Sequence, residues 1–200
     1  MTGRIIIDLF TTLDGVAQAP GGPEEDESGA FPFGGWQAPL ESEAVGRSVM
    51  EGMSTLDALL LGRRTYDIFA GYWPGAIGQL FDRVPKYVAS RNADIELQWQ
   101  GSSRVGADLV SEVARLRSQH EDVHVIGSID LVQTLFAEQL FDVLQLWVYP
   151  LVLGRGKKVF PDGAAPSNLE LLSAETGDGG ILAVRYAPLP GPVRTGVMGS

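Results

Sequence analysis

The sequence contains no cysteine and only two histidines, His120 and His124. The lack of cysteine excludes disulfides, thiol nucleophiles, iron–sulfur clusters and cysteine-ligated zinc within this chain. Two histidines cannot build a histidine-rich metal site, so we expect no metal ion. A Ser-His-Asp hydrolase would have to use one of the two histidines. Because His124 lies inside an apolar run, we expect it to be structural.

Basic residues and long hydrophobic runs are also scarce. The chain has 15 Lys and Arg against 25 Asp and Glu, a net charge of −10, which disfavours binding to nucleic acid or anionic membranes. An apolar stretch such as 144–153 is far shorter than the ~20 residues that cross a bilayer, and Gln145 and Pro150 interrupt it. We therefore expect a cytoplasmic protein with no nucleic-acid or membrane partner.

The 200 residues show a regular alternation of short apolar runs with helix-like patterns. The apolar runs predict strands near residues 5–10, 58–61, 87–89, 123–126, 143–152, 169–172 and 181–186. Their order predicts one α/β domain over residues 1–187, with a mostly parallel sheet, an antiparallel C-terminal edge and helices on both faces. We expect residues 188–200 to form a flexible tail.

A long segment over residues 11–39, rich in Gly, Pro and acids, interrupts this alternation. It contains the acidic run Glu24–Glu27. Segments of this length without regular structure are usually lids over a site or disordered insertions. Both interpretations stay open for this chain: a lid that closes over a ligand, or a solvated insertion.

Three predicted strand ends carry hydroxyl and guanidinium groups. At Gly62, Arg63, Arg64 and Thr65 a buried strand meets a glycine, and a helix begins at once. Backbone N–H groups at a helix start favour an anion, and arginines supply planar donors suited to phosphate. A structural alternative is that the arginines pair with nearby acids such as Asp67.

The other two strand ends are Ser90-Arg91 and Gly127-Ser128. Each of them alone is typical of an ordinary surface turn. In open α/β sheets, however, ligands bind beyond the carboxyl ends of the strands. Together the three strand ends predict a long polyanionic ligand such as a dinucleotide, although the pattern differs from the GxGxxG fingerprint.

Three residues are candidates for contact with a substrate. Asp14 follows the first strand, where a carboxylate can hydrogen-bond a polar ring or supply a proton. The alternative for Asp14 is an ordinary Asp-Gly turn. Trp36 and Trp73 lie in predicted loops, where they could stack on a flat ring or pack within the loops.

These residues resemble the dihydrofolate-reductase-like fold, and most closely its branch with the reductase domain of bacterial riboflavin biosynthesis, the RibD C-terminal domain. The resemblance runs from about Arg4 to Tyr186. Five segments carry it in the same order: Thr12-Leu13-Asp14-Gly15, Asp57–Tyr66, Tyr72-Trp73-Pro74, Val125–Ser128 and Pro150–Phe160.

The resemblance implies an NADPH-dependent reductase. It implies that residues 62–65 hold the pyrophosphate and 2′-phosphate side of the cofactor and that Ser90 and Arg91 flank the adenosine. It also implies that Gly127 and Ser128 receive the pyrophosphate or nicotinamide side. Basic side chains at three of these positions favour NADPH over NADH, because the extra phosphate needs such partners. Asp14 would be the catalytic residue on the substrate side.

The resemblance further implies a small heterocyclic or ribosylamino-pyrimidine-like substrate, reduced at a C=N or C=O bond. Folate is disfavoured, because folate reductases carry an acid on the helix before the second strand and the matching place here falls near Gly46. A ribosyl-phosphate substrate would need basic side chains, for which Arg47 and Arg155 are candidates. The acidic run 24–27 would oppose such a substrate.

Two expectations concern the whole protein. The alternative to an enzyme is a non-catalytic nucleotide- or small-molecule-binding protein on the same fold, and an intact set of three strand ends favours the enzyme. The strand expected over Val143–Val152 carries bulky apolar side chains on both faces. We therefore expect one face to pack against a second copy, as a homodimer.

Overall fold

A computed structural model describes residues 2–71 and 75–198 of the chain. Thirteen strands and α-helices follow one another in the described chain: β1 (Arg4–Thr12), α1 (Glu43–Gly52), β2 (Ala58–Gly62), α2 (Arg63–Phe69), α3 (Gly75–Arg83), β3 (Lys86–Ala89), β4 (Ser102–Arg104), α4 (Leu109–Gln119), β5 (Asp122–Ile126), α5 (Ile129–Ala137), β6 (Val143–Tyr149), β7 (Asn168–Thr176) and β8 (Leu182–Leu189). Short 3₁₀ turns at Ala38–Leu40 and Asp178–Gly180 complete the described elements.

The eight strands form one sheet in the order β4-β3-β2-β5-β1-β6-β8-β7. The first six strands of this order, from β4 across to β6, are all parallel to their neighbours. Strand β8 is antiparallel to both β6 and β7. This arrangement confirms the predicted mostly parallel sheet with an antiparallel C-terminal edge. Continuous apolar runs are required in the central strands because helices cover both of their faces.

Side chains that alternate along the strands build two cores. On one face, Ile5 and Ile7 of β1 pack with residues of α4 and α5, such as Leu116 and Val132. On the other face, strand residues such as Trp147 pack with residues of α1, α2 and α3. The predicted placement of helices on both faces is therefore confirmed.

Some predicted boundaries were wrong. The strand expected over Val143–Val152 ends at Tyr149, because Pro150 has no N–H to donate to a neighbouring strand. The first strand continues to Thr12, so the long segment begins later than residue 11. The last strand continues to Leu189, two residues beyond the expected domain end. Helix α3 was not predicted.

The ends of β2 and β5 lie at a switch point of the sheet. These two strands are neighbours, but the chain leaves β2 into α2 on one face and leaves β5 into α5 on the other. The departing helices diverge and leave a crevice beyond the carboxyl ends of the strands, where open α/β sheets bind ligands. In the described parts of the chain, no helix is long and apolar enough to cross a membrane.

Candidate functional site

A cavity of about 1310 Å³ opens in this crevice. Single small-molecule pockets usually measure roughly 300–1,000 Å³, so this cavity has room for a dinucleotide and a second small molecule. All eight residues predicted to bind a cofactor line its wall: Gly62, Arg63, Arg64, Thr65, Ser90, Arg91, Gly127 and Ser128. The fold thus brings the three predicted strand ends to one place.

A hydrogen bond between β2 and the turn before α5 forms the middle of the cavity wall. The N–H of Gly62 donates to Ser128 Oγ at 2.7 Å. A Cβ at Gly62 would lie only 3.2 Å from Ser128 Cβ and Oγ, tighter than ordinary van der Waals contact. The absence of a side chain at Gly62 therefore allows the two strand ends to approach this closely.

The turn before α5 is left-handed at two consecutive residues, Gly127 (φ 63°) and Ser128 (φ 59°). The left-handed conformation costs a non-glycine residue about 1–2 kcal/mol, and such strain often marks functional sites. Ser128 Oγ accepts from Gly62 and makes no cap hydrogen bond to α5. The first turn of this nine-residue helix, which includes Ile129 and Asp130, faces the cavity with no cap from Ser128.

The arginines of α2 supply the positive charge at this end of the cavity. Arg63 Nε contacts the two oxygens of Asp67 at 2.8 and 2.7 Å, so the pairing that the sequence left as an alternative is observed. Arg64 Nη1 lies 3.0 Å from Asp26 Oδ1, and the Arg64 side chain is 59% exposed. A guanidinium has five N–H donors, so neither pair uses up the donors of its arginine.

The structure does not bring Asp14 to this cavity. Asp14 Oδ1 accepts from Thr12 Oγ1 at 2.6 Å and from the N–H of Leu153 at 3.2 Å, while Oδ2 accepts from the N–H of Gly154 at 2.8 Å. Partial burial works to raise the pKa of Asp14, but these hydrogen bonds outweigh it and hold the pKa below its usual value. The predicted catalytic role stays a prediction, and this placement counts against it.

The tryptophans predicted on the substrate side have different outcomes. Trp36 is 7% exposed, packs edge-on against Tyr149, and donates from Nε1 to the carbonyl of Gln18 at 2.8 Å. It does not lie on the described wall of the cavity, so the loop-packing alternative holds for it. Trp73 lies outside the described residues, and its predicted role stays a prediction.

The segment between β1 and the 3₁₀ turn, residues 13–37, is packed against the domain. Val16 and Phe31 are buried, and the N–H of Ala17 donates to the carbonyl of Lys157 at 2.9 Å. The solvated insertion left open by the sequence is therefore wrong. Residues 17–26 of this segment form one wall of the cavity, so we name residues 13–37 the wall loop.

Two residues of the wall loop that sequence reasoning missed hold it in place. Gln18 is 3% exposed; its amide donates to the carbonyls of Asp26 and Ser28, and its Oε1 accepts from the N–H of Lys157. Asp26 Oδ2 lies 2.8 Å from Lys157 Nζ while Oδ1 faces Arg64. The signal in the sequence was an acidic run and a distant basic pair at 157–158, but no local rule joins them.

The histidines lie away from the cavity wall. His124 Nδ1 lies 2.7 Å from Asp8 Oδ2, and both side chains are fully buried. Burial raises the pKa of Asp8 against the opposing hydrogen bond from His124. His120 contacts Tyr87 and Asp57. Both histidines therefore have structural partners, as expected for His124.

The two arginines considered for a phosphorylated substrate also lie off the described cavity wall. Arg47 Nη1 lies 3.6 Å from Glu43 Oε2 on the exposed side of α1. Arg155 donates from Nη2 to the carbonyl of Gly29 at 3.0 Å. Neither side chain supplies positive charge to the cavity in this arrangement.

Comparison with known proteins places this geometry in a family. The model of the RibD C-terminal domain matches residues 4–183. A protein of Bacillus subtilis strain 168, the uncharacterized protein YyaP, is 27% identical over 192 residues, which cover 92% of this chain and 94% of that protein.

Solved structures share the fold. A pyrimidine reductase-like protein from Corynebacterium diphtheriae superposes with a TM-score of 0.67 at 12% identity, covering 94% of this chain and 93% of that one. A dihydrofolate reductase from Enterococcus faecalis, complexed with NADP(H) and RAB-propyl, superposes with a TM-score of 0.55 at 17% identity, covering 94% and 98%.

Proposed function

Since this chain belongs to the RibD C-terminal domain family, we propose that it is an NADPH-dependent reductase of a small molecule with a C=N or C=O bond. One observation carries the proposal: eight residues predicted from three separate strand ends line one cavity at the switch point of the sheet. The cavity wall combines arginines, hydroxyl groups and a helix start. This donor set suits the phosphates of a dinucleotide.

The residues present fit NADPH. Arg63 and Arg64 offer guanidinium donors for phosphate, Ser90 and Arg91 lie at the next strand end, and the first turn of α5 offers backbone N–H groups. A Cβ built on Gly127 would make an ordinary contact with Thr65 Cγ2 at 3.5 Å, so the left-handed φ of 63° is what favours glycine there. NADPH, when bound, supplies the hydride.

The protein contributes position, orientation and exclusion of water. The strained turn at Gly127 and Ser128 and its hydrogen bond to Gly62 hold the strand ends at fixed separation. The wall loop covers the opposite side of the cavity. Movement of this loop would admit the substrate and then close the site, as gating loops of many enzymes do.

A binding experiment tests the cofactor site. We expect tryptophan fluorescence titration to show tighter binding of NADPH than of NADH. The variant Arg63→Ala/Arg64→Ala should bind NADPH about tenfold or more weakly, because each lost charged hydrogen bond is worth roughly 1.5–3 kcal/mol. The affinity for NADH should fall less, since NADH lacks the 2′-phosphate.

The matched control is Arg47→Ala/Arg194→Ala, which removes the same charge from exposed arginines off the cavity wall. NADPH affinity should change little in this variant. Failure of a folded sample to bind either nucleotide would contradict the proposed function. Tight NADPH binding with no NADPH oxidation, at 340 nm, across cyclic imines and ketones would favour the non-catalytic binding protein.

A further inference from the structure

Helix α1 and the wall loop line one part of the cavity. We name it the α1 compartment; its apolar wall is formed by Phe10, Val45, Val49 and Met53, and its rim by residues 20–26 and Glu41. The three α1-side apolar residues are at most 6% exposed. This part of the cavity therefore presents a buried apolar surface suited to a flat ring.

The rim of the α1 compartment is acidic. Glu24, Glu25, Asp26 and Glu41 all line it. Among the described lining residues, the cations that contact this rim are Lys157 and Arg64, and both are paired with Asp26. Among the described residues, no ion pair joins the other three carboxylates to a cation. The compartment therefore keeps an excess of negative charge.

Glu25 is a partly buried carboxylate of this rim. Glu25 Oε2 accepts from the N–H groups of Gly21 and Gly22 at 2.6 and 3.2 Å. Burial raises the pKa of Glu25, the charge of Asp26 adds to the rise, and the two backbone hydrogen bonds oppose it without cancelling it. A further negative charge placed nearby would be repelled, and a positive charge would be attracted.

We infer that the α1 compartment binds a flat, apolar substrate that is uncharged or positively charged and carries no phosphate. The inference deepens the proposed function and rests on it, since it assigns the three strand ends that line the same cavity to the nucleotide. A phosphate group carries about 1.5 to 2 negative charges near pH 7. Arg47 and Arg155, the candidates from the sequence for compensating it, contact Glu43 and Gly29 instead, and both Lys157 and Arg64 are paired with Asp26.

Gly46 offers a way to test the compartment alone. It lies on α1 and lines the cavity, and a Cβ built on it meets nothing within 4 Å. A large side chain there can therefore reach into the compartment without a clash at its Cβ. We therefore choose Gly46→Phe to fill the compartment and Gly46→Ala as its control, which adds only a methyl group.

The experiment uses two fluorescent probes of opposite charge, the flat cation thioflavin T and the anion 8-anilinonaphthalene-1-sulfonate. Both are titrated into the full chain saturated with NADP⁺. We expect thioflavin T to bind at least about tenfold more tightly than the anion, a difference of about 1.4 kcal/mol. Gly46→Phe should abolish this binding, and Gly46→Ala should retain it.

Charge variants separate the effect of the carboxylates in the compartment from the effect of the overall charge of −10. Glu24→Gln/Glu41→Gln should reduce the preference for the cation. Glu170→Gln/Glu175→Gln, which removes two exposed charges from β7, should leave it unchanged. Tighter or equal binding of the anion, no binding of the cation, insensitivity to Gly46→Phe, or equal effects of both charge pairs would each overturn the inference.

Failure of the proposed function gives a different result. If NADP⁺ itself does not bind, the reductase proposal fails, and the same probe titrations on nucleotide-free protein still decide the charge preference of the compartment. If NADP⁺ binds and the anion is preferred, only the substrate class is wrong.

Discussion

At the scale of single residues, the same residue type serves opposite purposes in this protein. Asp14 turns both oxygens toward the backbone and Thr12, and so closes a turn between the end of β1 and residues 153–154. Asp26 directs its two oxygens to cations from different parts of the chain. The partners that the fold supplies, and not the carboxylate itself, decide which role each has.

The contacts of Asp14 predict a structural effect. Asp14→Ala should lower the free energy of unfolding by about 1 kcal/mol, below the roughly 1.5–3 kcal/mol of charged hydrogen bonds, because the carboxylate is partly exposed. Its lowered pKa fixes the sign of the pH dependence. The stabilisation is fully present above the ordinary value of 3.8 and is lost as the pH falls through the lower folded-state pKa.

Urea unfolding of wild type and Asp14→Ala at several pH values measures this difference. The gap between the two proteins should close below pH 3.8. A normal free energy of unfolding combined with a large loss of kcat would instead support the catalytic role predicted from the sequence.

At the scale of elements, the wall loop is the part of the chain that joins the two ends of the cavity. It is tied to the loop after β6 by Gln18, by an isolated bridge between Val16 and Lys158, and by the Asp26–Lys157 pair. Through Asp26 it also contacts Arg64, a predicted phosphate ligand. A carboxylate of the wall loop therefore competes for a donor that the cofactor needs.

This competition predicts a gain of affinity on removing the charge. Asp26→Asn should bind NADPH about two- to fivefold more tightly, because Arg64 no longer has to break its ion pair with Asp26 before it binds the cofactor. Surface ion pairs are worth roughly 0.2–1 kcal/mol. The titration that tests the cofactor site measures this effect. Glu27→Gln, an exposed neighbour in the same loop, is the control; weaker binding by Asp26→Asn than by this control would show that the bridge assists the nucleotide.

At the scale of the whole molecule, the exposure of apolar side chains on the sheet indicates where a second copy could pack. Strand β6, expected to offer a face to a second copy, is covered on both faces: Leu144, Trp147 and Tyr149 are at most 1% exposed. The prediction that one face of this strand packs against a second copy was therefore wrong. Exposed apolar residues lie instead on the antiparallel edge, at Leu171, Leu172 and Leu182. Exposed apolar patches next to a free strand edge mark association surfaces.

The homodimer stays a prediction, and its surface is now the β7–β8 edge. We expect sedimentation velocity to show a dimer that Leu171→Glu/Leu182→Glu converts to a monomer with unchanged NADPH affinity. The control is Leu13→Glu, which places the same charge at an apolar residue that is 67% exposed elsewhere. A monomeric wild type, or a dimer indifferent to the edge variant, would contradict this surface.

Local patterns in the sequence were enough to predict most of the strands, the parallel sheet and the three polar strand ends, because hydrophobic periodicity and turn residues act over a few neighbouring positions. They missed the short β4, whose residues Ser102–Arg104 form no apolar run. The common placement of Gly62, Ser90 and Gly127 then followed from the rule that parallel strands end at one edge. The carboxyl-end cluster was therefore predictable before any side-chain contact was known.

Only the tertiary structure decided where the loops lie. Asp26 meets Lys157 across 131 positions, and Asp14 meets Gly154 across 140. Such contacts depend on which surfaces the folded sheet leaves free, and no periodicity encodes them. For the same reason, contacts between distant parts of the chain determined three further features: the burial of Trp36, the coverage of β6 and the acidic rim of the α1 compartment.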